Sequence, residues 1–231
     1  MKNSNKRSFL LEARPAAPGF FFFSMAPRTA MLYWRHMYEA KKFTLPSLDG
    51  ISDESVKQHL GLYEGYVKNF NAIAAKLVEY AHESTEKHAL ALGELIRRKS
   101  FEFDGMRLHE LYFTQFEGGP KALDEQSALG KAFAKEYREY FVEYFKAIAS
   151  MRGPGWAILY WDTAGKEFQA GFVGEQHQGH FATLPIILAL DVWEHAFLLD
   201  YGATGKAKYL DAFFKNLNWG VIEKRFEEAQ A

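Results

Sequence analysis

The chain has 231 residues, 48% hydrophobic and 16% aromatic, with a formal net charge of -1 and no cysteine. That is enough apolar sequence for a sizeable core, which excludes a disordered chain. The near-neutral charge offers no electrostatic footprint for nucleic acid or an anionic membrane. The missing cysteine excludes disulfides, thiolate zinc sites, iron–sulfur clusters and cysteine nucleophiles. No apolar run reaches the ~18 residues a membrane span needs.

Residues 1–40 do not read as part of the fold. They are basic, with a Phe20–Phe23 run after Pro15-Ala16-Ala17-Pro18-Gly19. The expectation is a disordered or non-native extension, with the protein beginning naturally near Met37. A cytoplasmic location is expected unless this segment acts as a targeting signal.

From Phe43 the chain reads as ordered. Ser52 is a suitable N-cap, with Asp53 and Glu54 in the first turn. A helix is expected to about Tyr80, because Val56, Leu60, Tyr63, Val67, Phe70, Ala74 and Leu77 repeat at helical spacing. A second helix is expected over 105–116, stopped by Gly118-Gly119-Pro120. A third helical stretch, 123–151, carries Phe133, Tyr137, Phe141, Phe145 and Ile148. Strands are expected at 156–161, 168–173 and 186–190, the first two joined by a loop at 163–166, and helices at 209–217 and 221–229. The expected class is α+β: a helical hairpin domain at 41–120, then an α/β domain at 121–231 with a small antiparallel three-stranded sheet.

Asp191 and His195 follow the third strand, inside Asp191-Val192-Trp193-Glu194-His195. An acid and an imidazole there can converge on one metal ion. The segment resembles the D-x-W-E-H signature of the iron/manganese superoxide dismutase family. His109-Glu110-Leu111-Tyr112-Phe113 is similar to the family's H-x-x-Y-W, Gly153-Pro154-Gly155-Trp156 to its G-S-G-W, and Asn218-Trp219 to its N-W pair. The resemblance spans residues 43 to 229. It implies one iron or manganese ion per subunit, held by His59, His109, Asp191 and His195. Superoxide would be the substrate and a homodimer the assembly. Zinc, with no accessible redox change, would give a dead site.

The same resemblance implies that Tyr66 lines the substrate channel, and that Trp156, Trp193 and Tyr112 wall the cavity. Glu194 would reach the partner subunit's last ligand histidine. Three features depart from the pattern. The gap from His59 to Tyr66 is one residue short, tolerable if the family's usual helix carries a bulge that this one lacks. A histidine and a tyrosine that pair across the family's dimer are replaced by Leu62 or Tyr63, and by Leu198. Gly105 stands where some relatives carry a glutamine that bonds the metal's solvent. The substitute is expected to be His177, with Gln178 or Gln176 as alternatives. The competing functions are a non-catalytic binding or assembly protein of the same fold, and a zinc hydrolase.

Overall fold

The computed structural model describes residues 37–231; the expectations for residues 1–36 lie outside the described residues. Helix α1 spans Asp53–Glu83 and α2 spans Ala89–Thr114, forming an antiparallel hairpin. The side chain of Ser52 accepts a hydrogen bond from the Ser55 N–H, so it caps α1 as its sequence position predicts. Of the expected stripe, Tyr63, Val67 and Phe70 are buried and Val56, Leu60, Ala74 and Leu77 half-buried; His59 and Ile73, beside it, are buried as well. Packing reaches back at least to Tyr38, whose ring lies 5.3 Å from Phe70 and 6.2 Å from Phe103.

Helix α2 begins sixteen residues before the expected position 105. Its first half exposes Leu90 and Ile96, so it lacks the apolar stripe that would have marked it. Residues that favour helix intrinsically (Ala, Leu, Glu, Arg, Lys) keep that half helical.

The stretch expected as one helix is two: α3, Ala128–Glu136, and α4, Phe141–Ala149. Arg138, with φ 55, turns the chain between them. In a continuous helix Phe133 and Phe141 would lie about 12 Å apart along the axis. Folded back, their rings stack at 4.0 Å, and Phe168 joins them at 5.1 Å from Phe133. Aromatic burial therefore overrides helical continuity here.

Strands β1 (Gly155–Asp162), β2 (Glu167–Gly174) and β3 (Ile186–Asp191) form an antiparallel sheet in the order β2-β1-β3. In the β1–β2 loop, Asp162 Oδ1 accepts from the N–H groups of Ala164 and Gly165 at 2.9 and 3.0 Å. Strand β1 is central and buried over seven of its eight residues. A short 3-10 turn (Glu194–Ala196) and α5 (Leu198–Tyr201) follow β3, then α6 (Lys206–Asn216) and α7 (Trp219–Gln230). The core joins both halves: Phe113 of α2 and Phe116 just beyond it lie in one cluster with Trp156, Leu188, Phe213 and Phe226. No helix among the described residues is long and apolar enough to cross a membrane.

Phe145 is fully buried, with Phe141 and Phe214 as ring neighbours. Phe145→Ala should lower unfolding free energy by about 3–5 kcal/mol, read from urea denaturation.

Candidate metal centre

Four elements each deliver part of one cluster. α1 places His59, α2 places His109, the end of β3 places Asp191, and the 3-10 turn places His195. One ligand-type atom from each lies within 4.8 Å of all the others. The Nε2 atoms of His59 and His195 are both 3.1 Å from Asp191 Oδ2, and that of His109 is 3.6 Å away. Metal–nitrogen and metal–oxygen bonds of about 2.0–2.2 Å place neighbouring ligand atoms about 3–4 Å apart, so the spacing suits a single ion.

The donor set also fits a cation chemically. His109 Nδ1 donates to the Gly105 carbonyl at 2.6 Å, which leaves Nε2 as the lone-pair nitrogen. That Nε2 is buried and has no hydrogen-bond partner. A buried polar atom without a partner is costly, and a metal ion at the cluster supplies one. Burial and the neighbouring His59 push the His109 imidazole down to about 3, with Asp191 opposing. It is therefore neutral at pH 7, as a ligand must be.

Burial alone would raise the Asp191 carboxyl, but His195 and His59 beside it hold it well below the usual carboxylate range. The two histidines nearest to it shift oppositely at equal distance. His59 is buried, and desolvation lowers it despite the hydrogen bond to Asp191. His195 keeps 22% of its side chain exposed, and there the Asp191 charge outweighs burial and raises it.

Each imidazole has an aromatic wall. Tyr112 lies 4.9 Å from His59, Tyr66 and Trp156 lie 5.0 and 5.1 Å from His109, and Trp193 stacks 5.8 Å from His195. Tyr66 reaches this position from an uninterrupted α-helix. Its ring fills the space above Gly105: a Cβ there would fall 2.5 Å from Tyr66 Cδ1. The shortened gap in α1 and the missing side chain in α2 thus compensate each other sterically.

Of the three candidates in the β2–β3 connection, the side chain that enters the cavity is that of Gln176. It is fully buried, accepts from Trp156 Nε1 at 2.7 Å and donates through Nε2 to Tyr66 Oη at 2.8 Å. His177 instead faces Phe101, 5.7 Å away, and its Nδ1 has no hydrogen-bond partner. Gln178 is exposed, and its backbone closes a turn with Gly174. The cause is local: Glu175 adopts φ 52 in that turn, which rotates the next residue inward. The expectation centred on His177 followed a motif resemblance that carries no such backbone information.

Glu194 is exposed at the 3-10 turn. Tyr63 is buried, its hydroxyl accepting from the Lys41 N–H at 2.7 Å, so Leu62 is the outward residue of that pair of candidates. Sequence reading missed Gln115 and Arg225, which bind the backbone of β3; no motif marks them.

Comparison with known proteins gives a concordant result. The family described as "Iron/manganese superoxide dismutases, C-terminal domain" matches residues 125–225. The chain is 33% identical over 201 residues to a protein of Aquifex pyrophilus named superoxide dismutase [Fe], covering 84% of this chain and 93% of that one. It is 31% identical over 204 residues to the superoxide dismutase [Fe] of Saccharolobus solfataricus, covering 81% and 95%. A superoxide dismutase [Mn] of Mycobacterium lepraemurium is 29% identical over 201 residues, covering 81% and 94%. With relatives of that identity matched along most of their length, and three histidines and an aspartate gathered from both halves of the fold, this chain belongs to the iron/manganese superoxide dismutase family.

Proposed function

We propose that the chain is a superoxide dismutase, converting two superoxide anions and two protons into one dioxygen and one hydrogen peroxide. The observation that carries this is the convergence of His59, His109, Asp191 and His195 around one volume, with a buried imidazole nitrogen left without a partner. When bound there, iron or manganese supplies the one-electron exchange. The relatives' names carry both metals, and the donor set of imidazole and carboxylate suits either.

The chain's own residues set the remaining conditions. Three neutral imidazoles and one carboxylate cancel only part of a divalent charge, so the centre attracts a small anion. Burial and the nearby Asp191 and Glu102 raise the Tyr66 phenol well above its usual range, so it stays protonated. Trp156 donates to Gln176 Oε1, which fixes the amide with Nε2 toward Tyr66. Because Gln176 donates to Tyr66 Oη, the phenol proton is free to serve another acceptor. We assign Tyr66 and Gln176, in place of His177, as the proton-handling pair beside the metal. Peroxide formation consumes protons; the half-buried Tyr66 ring lies 5.0 Å from His109, and the buried Gln176 bonds its hydroxyl.

The proposed assembly is a homodimer through the face around Glu194. Leu62 lies one turn from His59 and Leu198 one turn from His195, and those imidazoles are 4.9 Å apart. Leu62, Leu198 and Leu199 are 41%, 47% and 52% exposed, large apolar side chains left to solvent on segments close in sequence to His59 and His195.

The protein reconstituted separately with iron, manganese and zinc should dismutate superoxide with iron, with manganese or with both, and not with zinc. His109→Ala and Asp191→Ala should lose metal and activity together, measured by elemental analysis and a superoxide assay. Inactivity with both redox metals at full occupancy would overturn the proposal. Light scattering should give a dimer, and Leu198→Glu should shift it toward monomer; a monomeric parent protein would refute the assembly.

A further inference from the structure

Strand β3 pairs with β1 on one side only, so its other edge is open. An open edge leaves backbone N–H and C=O groups that need partners when buried. Here side chains supply them on alternate residues. The Ile187 carbonyl accepts from Arg225 Nη1 at 3.4 Å, the Ala189 carbonyl from Gln115 Nε2 at 2.8 Å, and the Asp191 carbonyl from the Tyr209 hydroxyl at 2.8 Å. Gln115 also accepts from the Ala189 N–H at 2.9 Å. Its amide thus makes both hydrogen bonds that a neighbouring strand would make with Ala189.

Gln115 is fully buried just beyond the last turn of α2, the helix that carries His109. Arg225 of α7 holds it there, with Nη1 2.9 Å from Gln115 Oε1 and Nη2 2.7 Å from the Leu111 carbonyl. Thr114 Oγ1 accepts from Nη2 at 2.6 Å. All four acceptors of this guanidinium are uncharged. Burial lowers it to about 10, still above neutral pH. A half-buried cation spent on neutral oxygens needs a geometric return, and its contacts all bear on the α2–β3 junction.

We propose that Gln115, anchored by Arg225, is a positioning residue that sets Asp191 against the imidazoles of the α1–α2 hairpin by acting as the missing strand on the edge of β3. Asp191 lies two residues from Ala189, so a slip or twist of β3 moves its carboxylate directly. No other polar side chain joins α2 to Ala189 through two hydrogen bonds among the described residues. This inference rests on the ligand assignment above.

The test uses the manganese-loaded protein. Gln115→Met keeps the side-chain length and removes the donor and the acceptor. It should fold with an unchanged far-ultraviolet spectrum and release manganese to EDTA at least about tenfold faster than the parent. The visible absorption of its oxidised manganese should shift, and the Ala189 amide should exchange faster in the metal-free protein. Phe145→Leu, a core change on α4 beside Phe141 and Phe214, should lower the thermal midpoint without moving these readouts. If Gln115→Met does not fold, Gln115→Glu is measured instead. It keeps the acceptor for Ala189 and Arg225, loses the donor, and should still release metal faster than the parent. Parental release kinetics and absorption in the folded variant would overturn the proposal, as would the same changes in Phe145→Leu. Failure of the ligand assignment itself would show differently, as a parent protein that holds no manganese at this site.

Discussion

Burying a lone carboxylate costs several kcal/mol unless charge or hydrogen bonds compensate it, and Asp191 is completely buried. Its Oδ1 accepts from the Trp193 N–H at 2.9 Å, and its Oδ2 faces three imidazole nitrogens. Two of those nitrogens can share the oxygen as donors; the third, His109 Nε2, has nothing. A cation among the four atoms satisfies the carboxylate and the orphaned nitrogen at once. Much of the remaining architecture serves to hold these groups together: α1 and α2 from one side, β3 and its following turn from the other, and an aromatic ring against each imidazole.

The surroundings are fixed by backbone contacts as much as by packing. Trp193 Nε1 donates to the Glu175 carbonyl at 3.2 Å, and His180 Nε2 lies 3.1 Å from the Gln176 carbonyl, so the turn that presents Gln176 is tied at two consecutive residues. His180 is in turn 2.8 Å from the Tyr160 hydroxyl on the central strand. On the far side, Tyr112 Oη lies 3.1 Å from Tyr209 Oη, which links the helix of His109 to the residue that caps the Asp191 carbonyl. The metal site is thus braced through β1, β3, α2 and α6, and its geometry depends on the docking of both halves of the chain.

The ligands were legible through a resemblance: Asp191 and His195 stand in a segment similar to the family's D-x-W-E-H, after an apolar strand, and His59 and His109 stand where that family's pattern implies the other two. The strands and the α1 stripe were legible from hydrophobic period. Backbone geometry was not. No glycine or proline announces the reversal at Arg138, which serves the stacking of Phe133 on Phe141. Likewise the left-handed Glu175 puts Gln176 rather than His177 into the cavity. The first half of α2 was invisible because it buries no stripe, and Gln115 and Arg225 because their partners are main-chain atoms of a distant strand. The exchange between Tyr66 and Gly105 is a further case, since steric complementarity between two helices leaves no pattern in either one.

The most direct test of the central claim is anomalous diffraction from crystals of the iron- or manganese-loaded protein, with data on both sides of the metal's absorption edge. The account predicts one peak per chain, bonded to the Nε2 atoms of His59, His109 and His195 and to Asp191 Oδ2. A peak elsewhere, or one that leaves His109 or Asp191 outside bonding distance, would contradict it.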